Sequence, residues 1–242
     1  MSQSGYSLFF FPFAGGSKYS LLQLKDELEP DIDVCLLELP GRGSRIDEPL
    51  LYTMGDAVED YCRQVQAHVD EKTIFWGHSF GAVSAYLTIL FLKKTGSYLP
   101  RFLIVSGSRG IPAEIKSNPT NSLPVNDFWK NIEAYGGVPA ELLQYQELKN
   151  IFEPILRADF AVLENYVFNE GSLANLPIIS FSADNDISED RKIICWKDFS
   201  TDRIQEHIFN GDHFFIFKTL KKIKDIILRR IDFVESTIND IH

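Results

Sequence analysis

The most informative segment of this chain is Thr73-Ile74-Phe75-Trp76-Gly77-His78-Ser79-Phe80-Gly81. Its first four residues favour a short buried strand, and the residues from Ala82 to about Lys94 favour a helix. A serine between two glycines at such a junction is typical of a nucleophile elbow, a strained turn that raises the serine hydroxyl above the edge of the sheet. The glycines let strand and helix approach closely, and the start of the helix directs amide groups towards a developing anion. We therefore predict that Ser79 is a nucleophile.

Apolar strands alternate with amphipathic helices along most of the remaining sequence. Strands are predicted at Tyr6–Phe11, Val34–Leu39, Arg101–Ser106, Pro177–Phe181 and Ile204–Phe209, and helices at Ser20–Glu29, Gly55–Val69 and Lys218–Val234. Such alternation is typical of an α/β protein with a mostly parallel central sheet flanked by helices. We predict a single domain over residues 1–242.

One region interrupts this alternation. From about Arg109 to Ser172 no strand-like run occurs, and two helical blocks are separated by Gly136-Gly137-Val138-Pro139. We predict a helical cap, or lid, over about 109–172, inserted after the strand near 101–106 and lying above the edge of the sheet that carries Ser79. Its apolar face would form a wall of a substrate pocket, and the glycine–proline break would be a hinge. The alternative is an extra helical layer that only stabilises the sheet.

A nucleophilic serine needs a base, and His213 has the best position among the five histidines. It follows the last predicted strand in a loop, and the chain order serine, acid, histidine is the order found around a serine elbow in an α/β sheet. The other four are His78 in the elbow, with its side chain expected to point away from Ser79, His68 in a helix, His207 in a strand and the terminal His242. We therefore predict His213 as the general base.

The base needs a carboxylate to orient it, and the amides of an oxyanion hole must face the reacting carbonyl. Asp184 and Asp186 both follow the predicted strand Pro177–Phe181, and their spacing leaves either one open as the acid. Asp212 adjoins His213 and suits a turn-capping role better. One oxyanion amide is expected from Phe80, directly after the nucleophile. The other is expected from the small-residue loop Pro12-Phe13-Ala14-Gly15-Gly16.

Composition and charge exclude several classes of protein. The net charge of −10 disfavours nucleic acid as a partner, and no apolar run is long enough to predict a membrane span. The amino terminus lacks the basic start of a secretory signal. Three scattered cysteines (Cys35, Cys62 and Cys195) favour free thiols in a reducing compartment over disulfides or a zinc site. The sequence therefore predicts a cytoplasmic protein without a metal.

The chain resembles the type II thioesterases of nonribosomal peptide and polyketide synthesis, stand-alone proofreading enzymes of the α/β-hydrolase fold. The resemblance runs nearly from end to end and is more specific than the elbow alone. It is carried by Phe11-Pro12-Phe13-Ala14-Gly15-Gly16, Glu38-Leu39-Pro40-Gly41-Arg42-Gly43, Gly77-His78-Ser79-Phe80-Gly81-Ala82 and Gly211-Asp212-His213-Phe214-Phe215, and in the cap by Tyr135-Gly136-Gly137-Val138-Pro139-Ala140-Glu141 and Leu156-Arg157-Ala158-Asp159-Phe160.

The resemblance implies a function and a set of site residues. The expected reaction is hydrolysis of unwanted acyl groups from the phosphopantetheine arm of acyl or peptidyl carrier proteins. Apart from the resemblance, we expect these partners to bind transiently and the enzyme to be a monomer. No cofactor is implied, since the phosphopantetheine belongs to the substrate. The resemblance favours Asp186 as the acid, with Ala183 standing where the family usually has glycine. It also favours the Ala14 and Phe80 amides as oxyanion donors, although methionine is usual at the position of Phe80.

Other functions remain open at this stage. An esterase or lipase acting on free small esters would share the same fold and catalytic residues. A product-releasing thioesterase and a non-enzymatic binding protein are further alternatives. Because carrier proteins of this class are typically acidic, like this chain, docking would depend on apolar contacts and on local basic residues. The candidates for such contacts are Arg42, Arg45, Lys116, Lys130 and Lys149.

Overall fold

A six-stranded parallel sheet forms the centre of the structure. The computed structural model describes residues 4–136, 143–169, 176–186, 192–200 and 204–239. The strands in this part of the chain are β1 (Ser7–Phe11), β2 (Asp33–Leu36), β3 (Thr73–His78), β4 (Phe102–Ser106), β5 (Gly110–Pro112), β6 (Ile178–Ala183), β7 (Ile193–Cys195) and β8 (Gln205–Phe209). The main sheet has the order β2-β1-β3-β4-β6-β8, and every neighbouring pair in it is parallel. The prediction of a mostly parallel sheet is thus confirmed.

Helices cover both faces of this sheet. In the described ranges they are α1 (Leu22–Leu28), α2 (Met54–Val65), α3 (Phe80–Lys94), α4 (Val125–Tyr135), α5 (Gln146–Glu164) and α6 (Phe215–Asn239). Because successive strand residues point to opposite faces, β1 contributes to two separate cores. Phe9 and Phe11 pack in the core that contains α2 and α3, whereas Leu8 and Phe10 pack in the core that contains α1 and α6. The sheet is therefore buried on both sides.

The prediction that no strand occurs between Arg109 and Ser172 was wrong. Strand β5 lies inside this interval and pairs antiparallel with β7 in a separate two-stranded sheet. A Cβ atom on Gly110 would lie 2.0 Å from the carbonyl oxygen of Ile194, so this pairing requires glycine. Such a strand of only three residues, paired with a segment far along the chain, leaves no local periodicity that sequence reading could detect.

Helices α4 and α5 lie between β5 and β6 in sequence and share a small core of their own. That core contains Phe128, Trp129 and Ile132 of α4 together with Leu156 and Phe160 of α5. Helix α4 ends at Tyr135 and is followed by Gly136, which has a φ of 74°. The remainder of the predicted hinge, residues 137–139, lies outside the described residues. Among the helices of the described ranges, none is both long and apolar enough to cross a bilayer.

Candidate active site

Ser79 lies in the turn between β3 and α3. Its φ of 55° and ψ of −117° put it outside the regions that L-residues normally adopt, and it is the one non-glycine residue of the described ranges with a positive φ. The turn is held by backbone hydrogen bonds. The amide of Ser79 donates to the carbonyl oxygen of Ser106 at 2.7 Å, and the amide of Ala82 donates to the carbonyl of Ser79 at 3.0 Å. This geometry agrees with the predicted elbow.

The two glycines of the elbow are required by close backbone contacts. A Cβ atom on Gly77 would lie 2.1 Å from the carbonyl oxygen of Gly81, and one on Gly81 would lie 2.0 Å from the carbonyl oxygen of Phe11. Each of these distances is far below a normal van der Waals contact. Hence the strand, the turn and the start of α3 can only pack together in this way with glycine on both sides of the serine.

His213 and Asp186 form a hydrogen-bonded pair. His213 follows β8, Asp186 follows β6, and the distance from Nδ1 of the imidazole to Oδ1 of the carboxylate is 2.7 Å. Both side chains are nearly buried, with 7% and 11% of their surfaces exposed. An ionised carboxylate can only accept, so Nδ1 carries the proton and donates it. The other ring nitrogen, Nε2, is then left with a lone pair that can accept a proton.

The other two aspartates considered from the sequence have different partners. Asp184 accepts hydrogen bonds from the amide of Gly211 at 3.0 Å and from the side chain of Asn210 at 3.1 Å. Asp212 accepts from the amide of Phe214 and pairs with Lys218, whose hydrogen bond is the main reason for the lowered pKa of Asp212. Both carboxylates thus brace the loop that carries His213, and Asp186 is the one that contacts the imidazole.

Ser79, Asp186 and His213 all line one cavity of about 730 Å³. The loop residues Phe13, Ala14 and Gly15 also line it, so the expected oxyanion loop lies at the same cavity. Most of the remaining wall is apolar and comes largely from α3, α4, α5, the start of α6 and the residue before it: Val83, Ile132, Phe152, Leu156, Phe160, Leu163, Phe217 and Phe214. Phe80, the other expected oxyanion donor, is the first residue of α3 and has a buried side chain. Such a lining suits an apolar substrate group.

His78 is fully buried, and its ring lies beside that of His213, a contact that the sequence did not reveal. Its ring centroid lies 5.1 Å from that of His213, and its Nδ1 lies 2.9 Å from the hydroxyl of Ser106. The expectation that it points away from Ser79 agrees with its absence from the cavity wall. Burial, with a smaller contribution from the neighbouring His213, holds the pKa of His78 well below the ordinary value of 6.5. Burial therefore favours the neutral form of His78 in the folded protein.

This neutrality predicts a pH-dependent stability. Below about pH 6.5 the unfolded chain protonates His78 more readily than the folded protein does, so the unfolded state binds more protons and stability falls as the pH falls. Between about pH 7.5 and about pH 5.5 this one group lowers the free energy of unfolding by at most about 1.4 kcal/mol, the limit for an imidazole that stays neutral when folded. Asn in place of His78 keeps a polar atom near Ser106 and removes the titration.

Urea denaturation of the wild type and of His78→Asn at both pH values measures this difference. The wild type should lose more stability than the variant, by up to about 1.4 kcal/mol, because the variant lacks the imidazole of His78. Equal losses in the two proteins would show that His78 takes up its proton in the folded state as readily as in the unfolded state.

Three of the five basic residues considered for carrier docking are occupied by partners within the protein. The side chain of Arg45 binds Asp60 at 2.7 Å and Glu48 at 2.6 Å, and Lys116 binds Glu164 at 2.9 Å. Arg42 is only 3% exposed and pairs with Asp159. The assignment of Arg42 to a docking surface was therefore wrong, because its side chain is buried. Arg45 and Lys116 are each paired with a carboxylate but are 22% and 21% exposed, and their part in docking stays a prediction. Lys130, whose side chain is 79% exposed, remains accessible, and Lys149 lies over the ring of Trp129.

The pair of Arg42 and Asp159 was missed by sequence reasoning. Burial opposes a charge on Arg42, but the adjacent carboxylate of Asp159 outweighs that effect and raises the pKa of the guanidinium. Each of the two residues belongs to a segment that the sequence singled out, Glu38–Gly43 and Leu156–Phe160. Their separation of 117 positions is the reason that nothing in the sequence linked them.

The strand order and the serine turn together define the class of protein. A parallel sheet in which a strand leads through a strained serine into a helix, with a histidine following the last strand, is the α/β-hydrolase fold. Among the described residues, no group of histidine, cysteine, aspartate and glutamate side chains has the arrangement of a metal site.

Comparison with known proteins narrows this class. The model of the thioesterase domain family matches residues 6–232. The chain is 30% identical over 218 residues to the probable anguibactin biosynthesis thioesterase AngT of Vibrio anguillarum, covering 85% of this chain and 83% of that protein. It is 27% identical over 218 residues to the medium-chain S-acyl fatty acid synthase thioesterase of Rattus norvegicus, with coverage of 88% and 82%.

The solved structures agree with this relationship. The crystal structure of ClbQ from the colibactin NRPS/PKS pathway superposes with a TM-score of 0.84 and 30% identity, covering 95% of this chain and 99% of that one. The chain belongs to the thioesterase family, and it is a hydrolase acting on thioesters.

Proposed function

We propose that this protein is a stand-alone type II thioesterase that removes aberrant acyl groups from the phosphopantetheine thiol of carrier proteins in nonribosomal peptide or polyketide biosynthesis. The observation that carries the proposal is the meeting of Ser79 and the His213–Asp186 pair at one largely apolar cavity. The proposal is further supported by the biosynthetic thioesterases among the relatives.

The proposed reaction proceeds through an acyl-enzyme. Nε2 of His213 takes the proton of Ser79 while the serine oxygen attacks the thioester carbonyl, and Asp186 stabilises the resulting imidazolium. The amides of Ala14 and Phe80 donate to the oxyanion. Collapse of the intermediate breaks the carbon–sulfur bond, and His213 returns the proton to the departing thiol. In a second round His213 deprotonates water, which releases the carboxylic acid and restores Ser79.

This chemistry requires neither a metal nor an organic cofactor, since the phosphopantetheine arrives with the substrate. We further propose that carrier proteins bind transiently, that the enzyme acts as a monomer and that it works in the cytoplasm. Transient binding is supported by the shared acidic character of the partners, because like charges repel at long range. A reducing compartment is supported by the free thiols of Cys35, Cys62 and Cys195.

The proposal is tested with a carrier protein loaded with acetyl-phosphopantetheine, whose intact mass is followed over time. We expect the acetyl mass to disappear with the wild type and to persist with Ser79→Ala. Simple acyl esters of p-nitrophenol, measured in parallel, distinguish the competing function. Cleavage of these esters by wild type without any change in the loaded carrier would refute the carrier-directed role and favour an esterase acting on free molecules.

A further inference from the structure

A buried ion pair joins the loop after β2 to helix α5. Both terminal nitrogens of Arg42 bind the carboxylate of Asp159, and the two residues are 3% and 1% exposed. Burying two charges is costly, and apolar residues of similar volume often stabilise a protein equally well or better. Stability alone is therefore a weak reason for this pair. Its surroundings indicate a more specific role.

The carboxylate of Asp159 has a third partner in the candidate active site. Its Oδ2 accepts a hydrogen bond of 2.7 Å from the amide of Gly15, the residue after Ala14. The loop is also pressed against α5 at this point, since a Cβ atom on Gly15 would lie 2.5 Å from Cδ2 of Leu156. Leu156 lines the cavity from α5. Asp159 thus connects a helix of the cavity wall to the loop that carries Ala14.

The Gly15 amide determines the shape of the loop. The amide of Gly16 donates to the carbonyl of Phe13 at 2.8 Å, and Gly15 has a φ of +77°, which together define a type II turn with Ala14 and Gly15 at its centre. Type I and type II turns differ by a rotation of the central peptide unit, here the one between Ala14 and Gly15. The N–H of that unit is the group that Asp159 binds. An acceptor at this place therefore selects the type II form.

A second buried carboxylate holds the other end of the same loop. Glu38, which is fully buried, accepts from the amide of Lys18 at 2.9 Å and from the amide and hydroxyl of Ser44. A Cβ atom on Gly43 would collide with this carboxylate. The segment Glu38–Gly43 consequently fixes the loop after β1 twice, directly through Glu38 and indirectly through Arg42 and Asp159.

We propose that Asp159, held in place by Arg42, is a positioning residue that fixes the turn at Ala14 and Gly15 and so holds Ala14 at the oxyanion site. The Ala14 N–H itself belongs to the preceding peptide unit, at the first corner of the turn that Asp159 fixes. This inference rests on the proposed hydrolysis at Ser79. It adds a route by which α5, whose side chains line the cavity, positions an oxyanion donor.

The test removes both charges together, so that no unpaired charge remains buried. In Arg42→Met/Asp159→Leu the packing is kept but the Gly15 amide loses its acceptor. The matched control is Lys116→Met/Glu164→Leu, because Glu164 lies on the same helix, is 2% exposed, pairs with Lys116 and accepts from the backbone amide of Asn121. The control pair has no hydrogen bond to the loop at Ala14 among the described residues.

Four quantities separate positioning from mere structural support. They are kcat and KM for octanoyl-N-acetylcysteamine, the inhibition constant of an octyl trifluoromethyl ketone, which forms an oxyanion on the serine, and the inhibition constant of octanoic acid. In Arg42→Met/Asp159→Leu we expect kcat to fall by about 10- to 100-fold, which is less than the fall caused by complete loss of an oxyanion donor. The inhibition constant of the ketone should rise by a similar factor. KM and the binding of octanoic acid should change little, and the control should retain wild-type kcat.

The same four quantities are measured for the isosteric variant Asp159→Asn. This variant tests the inference even if Arg42→Met/Asp159→Leu does not fold. An amide offers only one oxygen to the three donors that now face the carboxylate, so kcat and ketone binding should weaken together, by a smaller factor. The deciding variant is Arg42→Met/Asp159→Leu, or Asp159→Asn if the double variant does not fold. The inference is overturned if kcat of that variant stays within about threefold of wild type, or if its kcat falls without weaker ketone binding. It is also overturned if kcat of the control Lys116→Met/Glu164→Leu falls equally.

These measurements also keep the two proposals apart. Failure of the wild type on a loaded carrier would remove the carrier-directed function but leave the positioning result on the small thioester intact. Wild-type behaviour of Arg42→Met/Asp159→Leu on that thioester would remove only the positioning role.

Discussion

Substitution of Ser79 by alanine is expected to lower kcat for thioester hydrolysis by about 10⁴–10⁶-fold. The serine oxygen is the atom that forms the acyl-enzyme, and no other group can replace it at the top of the turn between β3 and α3. The hydrogen bonds that hold this turn involve the backbone of Ser79, so they persist in alanine. The fold and the binding of substrate should therefore survive.

Steady-state kinetics and intact-mass detection of the acyl-enzyme measure this effect. Ser84→Ala is the matched control, because it removes a buried hydroxyl from α3, the helix that begins directly after Ser79. The Ser84 hydroxyl donates to the carbonyl of Phe80. We expect near wild-type turnover in the control, and an acylated protein in the wild type but not in Ser79→Ala. Retention of a tenth of the activity in Ser79→Ala would exclude this serine as the nucleophile.

Replacement of Asp186 by asparagine should lower kcat by about 10³–10⁴-fold with little change in KM. The carboxylate accepts from Nδ1 of His213 at 2.7 Å and so keeps Nε2 unprotonated and ready to accept the serine proton. An amide can instead donate to Nδ1, which moves the ring proton to Nε2 and leaves the base in the wrong tautomer. The substitution is isosteric, so packing is preserved.

Asp184→Asn is the natural comparison for this variant. Asp184 binds the amide of Gly211 and the side chain of Asn210, so its loss should loosen the loop of His213 and reduce kcat far less than Asp186→Asn. The pH dependence of kcat/KM should keep its form in Asp184→Asn. The opposite ranking, with an active Asp186→Asn and an inactive Asp184→Asn, would transfer the role of the acid to Asp184.

The sequence alone was sufficient to predict those features of the fold and of the candidate site that depend on local geometry. Gly77, Ser79 and Gly81 predicted the elbow, because a sharp turn between strand and helix admits few residue types. The alternation of strands and helices predicted the parallel sheet. The position of His213 after the last strand was equally readable, since the carboxyl ends of parallel strands meet at one edge.

The remaining features depend on contacts between distant segments. Spacing alone left Asp184 and Asp186 equivalent, because the choice between them depends on how the loops after β6 and β8 fold against each other. Strand β5 forms by pairing with β7, and the charge of the buried Arg42 is balanced by Asp159. In each case the structural role of a charged residue or a short apolar run depends on a partner that is distant in sequence.

The conformation of Ser79 also has an evolutionary consequence. A φ of 55° is a conformation that glycine adopts without strain and that serine adopts at a cost. Selection for catalytic turnover therefore keeps serine at position 79, although the backbone conformation there favours glycine. In a lineage that no longer needs the activity, replacement of Ser79 by glycine would relieve this backbone strain. We therefore expect Ser79 to be the first residue of the motif Gly77–Gly81 to change.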